Sequence, residues 1–118
     1  MKDHNEMTVD EARDELARNA GYKPTQNHWH HPKHGCCHFN DHPIPATLDE
    51  AAKLPEGWLP KIEEIAASHW VAKAFPPDGN PYSMEADGTT ELEARFRLRV
   101  AVTRAMATRA VAGLSPTS

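Results

Sequence analysis

Both cysteines of the chain and six of its eight histidines fall in one stretch, Asn27-His28-Trp29-His30-His31-Pro32-Lys33-His34-Gly35-Cys36-Cys37-His38-Phe39-Asn40-Asp41-His42-Pro43. Imidazole and thiolate are the side chains most used to hold zinc. Gly35 lies midway between Trp29 and Phe39, with residue character alternating on either side, which predicts a hairpin turning near that glycine. Alternation in a strand then puts His28 and His30 on one face and Cys36 and His38 on one face of the facing strand, so four ligands meet across the turn. A nitrogen and sulfur set favours zinc over magnesium or calcium, and a closed set of four is structural: its binding energy becomes folding energy. Cys37, His34 and His42 are alternates. Neighbouring Cys36 and Cys37 project to opposite sides, so only one of them joins such a set. The plainer alternative is a group of hydrated histidines beside one buried thiol.

Three other chemistries fit the same stretch. Asp41-His42-Pro43-Ile44-Pro45 resembles the core of the histidine-asparagine-histidine endonuclease motif, which implies a zinc-dependent hydrolase or nuclease centred on Cys36, His38, Asp41 and His42. Such a motif needs a further histidine on the helix that follows, and the next one, His69, is far downstream. A thiolate at Cys36 or Cys37 activated by a neighbouring imidazolium is a second option, without an identifiable orienting group. Charging of the clustered imidazoles near neutrality is a third. An enzyme is therefore the less favoured reading, and binding the favoured one.

The elements around the stretch follow from caps and periodicity. Thr8 with Glu11, Thr47 with Glu50 and Thr90 with Glu93 each place a threonine three residues before a glutamate, the signature of a helix start. Val9, Ala12, Leu16 and Ala20 recur at helical spacing up to Gly21, a C-terminal cap. A helix after Thr47 can run about two turns before Pro55 stops it. Ile62, Ile65 and Ala66 suit helix or strand. Trp70 to Phe75 alternates, as do Tyr82, Met84 and Ala86 beyond the turn at Pro76 to Pro81, which predicts a three-stranded meander. Leu92, Ala94, Phe96, Leu98, Val100 and Val102 alternate like a strand, but the composition to Ala112 and the cap at Thr90 favour one long helix. Trp58 and Trp70 read as core aromatics. Glu11, Asp14 and Glu15 read as solvent-facing charge.

The resulting expectation is a single α+β domain: a small antiparallel sheet packed between helices, preceded by an N-terminal helix and the His/Cys-rich hairpin. Residues 1–7 are expected to be a flexible start, 8–46 the helix and hairpin, 47–112 an α-β-β-β-α module and 113–118 a flexible tail. A chain of 118 residues suits one domain. A formal charge of −4 argues against a nucleic-acid coat, although Arg95, Arg97, Arg99, Arg104 and Arg109 could form a local patch for an anionic partner. No apolar run approaches a membrane span and no secretory leader is visible, so a cytoplasmic location without membrane attachment is expected. Two adjacent cysteines fit a reducing compartment.

From Asp41 onward the order of landmarks resembles the phage ABA sandwich group of small phage and prophage proteins. The resemblance is carried by Asp41-His42-Pro43-Ile44-Pro45, Thr47-Leu48-Asp49-Glu50-Ala51-Ala52, Leu54-Pro55-Glu56-Gly57-Trp58, the strand at Trp70 and the long closing helix. It implies a phage or prophage origin in a bacterial host and a role in binding a host protein or a small molecule. Inhibition of a host defence system, in the manner of an anti-CRISPR protein, is one form such a role takes.

Overall fold

The computed structural model describes residues 2–26, 28–38, 42–77 and 83–113. Helix α1 (Val9–Asn19) starts from a complete capping box, in which the Glu11 amide donates to the Thr8 hydroxyl and the Thr8 amide to the Glu11 carboxylate. It ends in a Schellman motif: the Gly21 amide donates to the Arg18 carbonyl and the Tyr22 amide to the Ala17 carbonyl, with Gly21 at φ +100°. Three short strands follow as an antiparallel sheet, β1 (Lys23–Pro24), β2 (His28–His31) and β3 (Gly35–His38), in that order. After α2 (Leu48–Ala51) a meander of β4 (Leu59–Ala66), β5 (His69–Phe75) and β6 (Met84–Gly88) forms a second antiparallel sheet, and α3 (Glu91–Gly113) closes the chain.

Helix α3 lies between two cores. Phe96 and Val100, with Leu92 at the margin, pack with Ala12, Leu16, Ala17, Trp29, Ile44 and Ala51. Ala94, Leu98 and Val102 pack with Trp58 and with Ala72, Ala74 and Ala86 of the meander. Residues two apart on a helix lie about 200° apart, so the stripes 92/96/100 and 94/98/102 face opposite ways. This resolves the conflict in the sequence, because alternation of apolar residues is what a helix with two opposite buried faces must show. The sheet meets α3 through alanines and through Gly88, where a Cβ would lie 2.6 Å from the Ala94 amide nitrogen. Such an approach leaves room for no side chain at that position.

The α+β class and the helix, meander and helix order are those expected, with the layers running α1, α3, sheet. Several details differ. Helix α2 is one turn rather than two, because Ala52 already acts as its C-cap. Strand β1 was not foreseen; two residues ending in proline carry no periodicity to read. Residues 2–7, expected to be flexible, are docked: a 3₁₀ turn at His4–Glu6 places the His4 ring 2.9 Å from the Glu85 carbonyl, and the Asp87 amide donates to the Asn5 side chain at 2.9 Å. Met7 is buried. The expectations for Phe39, Asp41, Tyr82 and the tail from Leu114 fall outside the described residues.

Two outcomes follow from this arrangement. Phe96→Ala and Leu98→Ala, on opposite faces of α3, each lower the unfolding free energy by about 3 kcal/mol or more in urea titrations; a helix with one buried face would tolerate one of them. The Glu11 pKa lies below its ordinary value of 4.5 because the Thr8 amide and then Lys2 bond to the carboxylate. Its contribution is therefore present at neutral pH and is lost as pH falls through the lowered pKa. Glu11→Gln should flatten the acid limb of the stability curve, measured by thermal melts across that range.

Candidate functional site

The β2–β3 hairpin turns through Pro32, Lys33 and His34. Gly35, the first residue of β3 and the partner of His31, takes φ +82°, which glycine adopts without steric cost. The register pairs His28 with His38, Trp29 with Cys37, His30 with Cys36 and His31 with Gly35. Trp29 and His31 are buried, whereas His28 and His30 are exposed. Directly opposed residues of an antiparallel pair belong to one face. Cys36 and His38 thus occupy register positions opposite the two exposed histidines, and Cys37 is registered with the buried Trp29. Among the described residues, no three His, Cys, Asp or Glu side chains gather as a metal site. His34 is engaged elsewhere, its ring stacked 6.4 Å from that of Tyr22 and 4.3 Å from that of His31.

Two histidines of the stretch are built into the scaffold in the same way, and both precede a proline. In His31-Pro32-Lys33, Nδ1 accepts from the Lys33 amide at 2.9 Å and from the His34 amide at 3.2 Å. Nε2 lies 3.0 Å from the Ala20 carbonyl at the end of α1. In His42-Pro43-Ile44, Nδ1 accepts from the Ile44 amide at 3.0 Å, while Nε2 lies 2.8 Å from Asp14 Oδ1. An Nδ1 that accepts fixes the neutral ring with its proton on Nε2, so Nε2 donates in both cases. Proline brings the amide two residues on within reach of the ring, because its φ is set and it offers no N–H of its own. His31 thereby satisfies a helix-end carbonyl, and Gly21 must be glycine there, since a Cβ would lie 2.9 Å from His31 Nε2.

His42 forms one wall of a cleft of about 450 Å³ lined also by Asp10, Arg13, Asp14, Arg18, Pro24 and Trp29. Trp29 meets the His42 ring edge-on at 5.2 Å between centroids. Arg13 donates through Nε to the Ile44 carbonyl at 2.7 Å and through a terminal nitrogen to Asp10 at 3.0 Å. In this arrangement both ring nitrogens of His42 are occupied by the fold. His42 is thereby a positioning element of the scaffold.

The acidic residues read as solvent-facing on α1 each have a partner. Glu11 caps the helix and bonds Lys2, Asp14 holds His42, and Glu15 makes a two-pronged pair with Arg104 at 2.6 and 2.8 Å. That pair holds the Arg104 pKa above its ordinary value. The α3 arginines are likewise internal links. Arg97 donates to the Met7 and Asp87 carbonyls, Arg99 to the Glu50 carbonyl at 2.8 Å, and Arg95 to Glu91. Burial lowers the Arg99 pKa, with Glu50 opposing that shift. These four arginines of the patch that the spacing allowed are thus engaged within the fold, and the Arg109 side chain lies outside what the structure describes. The sequence signal missed for His31 and His42 was the repeated His-Pro pair; for Asp14 nothing local marked it, since its partner is 28 positions away.

Comparison with protein-family models, with curated proteins and with solved structures found no match.

If His42 is a pin, truncation strands two groups at once. His42→Ala should cost about 1–3 kcal/mol by leaving Asp14 and the Ile44 amide without it. His42→Asn places an oxygen near the Nδ1 position and should recover part of that loss, with slower amide exchange at Ile44 than in the alanine variant. Equal stability of the two variants would assign the ring to packing alone.

Proposed function

We propose that the protein works by binding and not by catalysis, and that the β2–β3 hairpin is the element built to grip. The observation that carries this reading is the cross-strand register: His28 opposite His38, and His30 opposite Cys36. On β2 the two histidines occupy the exposed positions while Trp29 and His31 are buried. The ligand set proposed is His28, His30, Cys36 and His38, and the ion is zinc, which takes nitrogen and sulfur donors in tetrahedral sites. Opposed Cα atoms sit about 4.5–5.5 Å apart and alternate residues of one strand about 6.7 Å apart, a spacing that side chains of this length can close around one ion. Zinc would fasten a sheet whose outermost strand, β1, has only two residues.

The pinning of His31 and His42 supports the same division of labour. Those rings hold the hairpin and the following segment to α1, which gives the exposed histidines a fixed platform. In keeping with the phage resemblance, the partner proposed is a host protein or a small molecule met in the bacterial cytoplasm. Inhibition of a host defence system is the form of that role which suits a small binding domain.

Untagged protein kept reduced should take up one equivalent of zinc that survives dialysis and raises the melting temperature. His28→Ala with His30→Ala should lose the zinc-dependent rise, measured against the double variant's own zinc-free melting temperature. A rise of equal size in that double variant would refute the ligand set, and no uptake in the parent would refute the site.

A further inference from the structure

The two edges of the meander are treated differently. Along β6 the N-terminal turn and Arg97 of α3 cover the edge: the Asp87 amide donates to Asn5, the Glu85 carbonyl faces the His4 ring, and the Asp87 carbonyl accepts from Arg97. Strand β4, at the opposite edge, has no neighbour on its outer side among the described residues. It is eight residues long, Leu59 is 67% exposed, and Ile65 is 56% exposed. A long open edge with apolar side chains is a template for strand addition. Its occupant is set by the order of its residues.

We propose that β4 pairs with β4 of a second copy of this chain, antiparallel about a two-fold axis through Ile62. Proline is tolerated in a strand where its missing N–H faces away from the ladder. Pro60, paired with Ala74 of β5, therefore sets the backbone groups of 60, 62 and 64 toward the open edge. Outward positions must meet outward positions, so the axis passes through a residue and not between two. Through Lys61 it would set Lys61 against the partner's Lys61, and through Glu63 it would set Glu63 against the partner's Glu63. Through Ile62, Lys61 faces the partner's Glu63, Leu59 faces the partner's Ile65, and Ile62 meets its own counterpart. Only this register joins opposite charges on both sides of the axis.

In that register Ile62 and the partner's Ile62 exchange both amide bonds, and each Glu64 amide meets the partner's Pro60 carbonyl, while the Glu64 carbonyls stay with solvent because Pro60 has no N–H. Within one chain Lys61 lies opposite Lys73 across β4 and β5, an unfavourable pair of like charges that its link to Glu63 at 3.2 Å relieves only at an exposed site. The partner's Glu63 supplies the second anion. Pro60 and the bulge between Glu64 and Ala66 limit the pairing to the middle of the strand, where the Lys61, Glu63 pattern is self-complementary. The product is a continuous six-stranded sheet, with α3 of both copies on one side. The contact is isologous, so it closes at two copies.

Sedimentation of the full chain, with chelator and reductant present to remove zinc and disulfide routes, tests the proposal. The expected result is a monomer–dimer equilibrium whose dissociation constant rises at least about tenfold in Lys61→Glu and in Glu63→Lys, since each sets like charges together on both sides of the axis. The double variant, Lys61→Glu with Glu63→Lys, should return to within about threefold of the parent, because it exchanges the two signs and restores complementarity. Lys61→Glu also replaces the like-charge pair with Lys73 by an opposite one, so its fold is retained, as circular dichroism will show. A chain that stays monomeric up to about a millimolar, or an association equally strong in all three variants, overturns the proposal.

Discussion

Everything in this fold depends on α3 being covered on two opposite faces at once. Phe96 and Val100 belong to the core with α1, and Leu98 and Val102 to the core with the meander; all four are essentially inaccessible to solvent. A small domain has few ways to bury enough apolar surface, and a central helix used on both sides is one of them. The requirement reaches into the sheet. Its α3 face is lined by Ala72, Ala74, Ala86 and Gly88, because larger residues would hold the helix away. The close fit comes from small side chains on the sheet and large ones on the helix.

A helix buried on two faces has only its flanks for polar residues, and there the arginines stand. Arg97 and Arg99 reach from opposite flanks to backbone carbonyls in other elements, at Met7 and Asp87 and at Glu50, while Arg104 meets Glu15 of α1. Each of these guanidiniums donates to a carbonyl or carboxylate of another element. The Arg99 side chain is only 17% exposed, and this burial lowers its pKa. Removing such a partner strands a buried acceptor, which costs more than an exposed ion pair contributes. Arg97, Arg99 and Arg104 thus tie the elements of the fold together.

How much of this could be read in advance varies with the range of the interaction. The three threonine caps are local and all of them are seen, with Thr8, Thr47 and Thr90 each accepting from the amide three residues on. The meander was visible because β5 alternates, and β4 was ambiguous because its residues are nearly all exposed and carry no burial period. The alternation along α3 was plain but read two ways, since one pattern describes a half-buried strand and a doubly buried helix. Its meaning depends on what lies on either side. Asp14 and Glu15 show the same limit: each is an ordinary helix-surface acid until His42 and Arg104 arrive from elsewhere in the chain. The four hairpin positions were legible as a register, which is a property of the backbone, and zinc binding remains a proposal about their side chains.

Four described histidines of the stretch divide by their surroundings. His31 is buried and His42 partly so; each has proline next, an amide on Nδ1 and an α1 oxygen facing Nε2. Such rings are fixed in tautomer and orientation, and they replace the apolar contacts that a sheet of this size lacks. His28 and His30 occupy the alternate, exposed positions of the same strand. A strand has two faces and no third, so fixing His31 through Nδ1 and Nε2 also fixes which face His28 and His30 present. A one-residue slip would carry His30 into the place that satisfies the Ala20 carbonyl and take His31 to the surface. It would move Gly35 away from the turn position that its positive φ serves. The buried histidine thus helps to hold the register in which His28 pairs with His38 and His30 with Cys36.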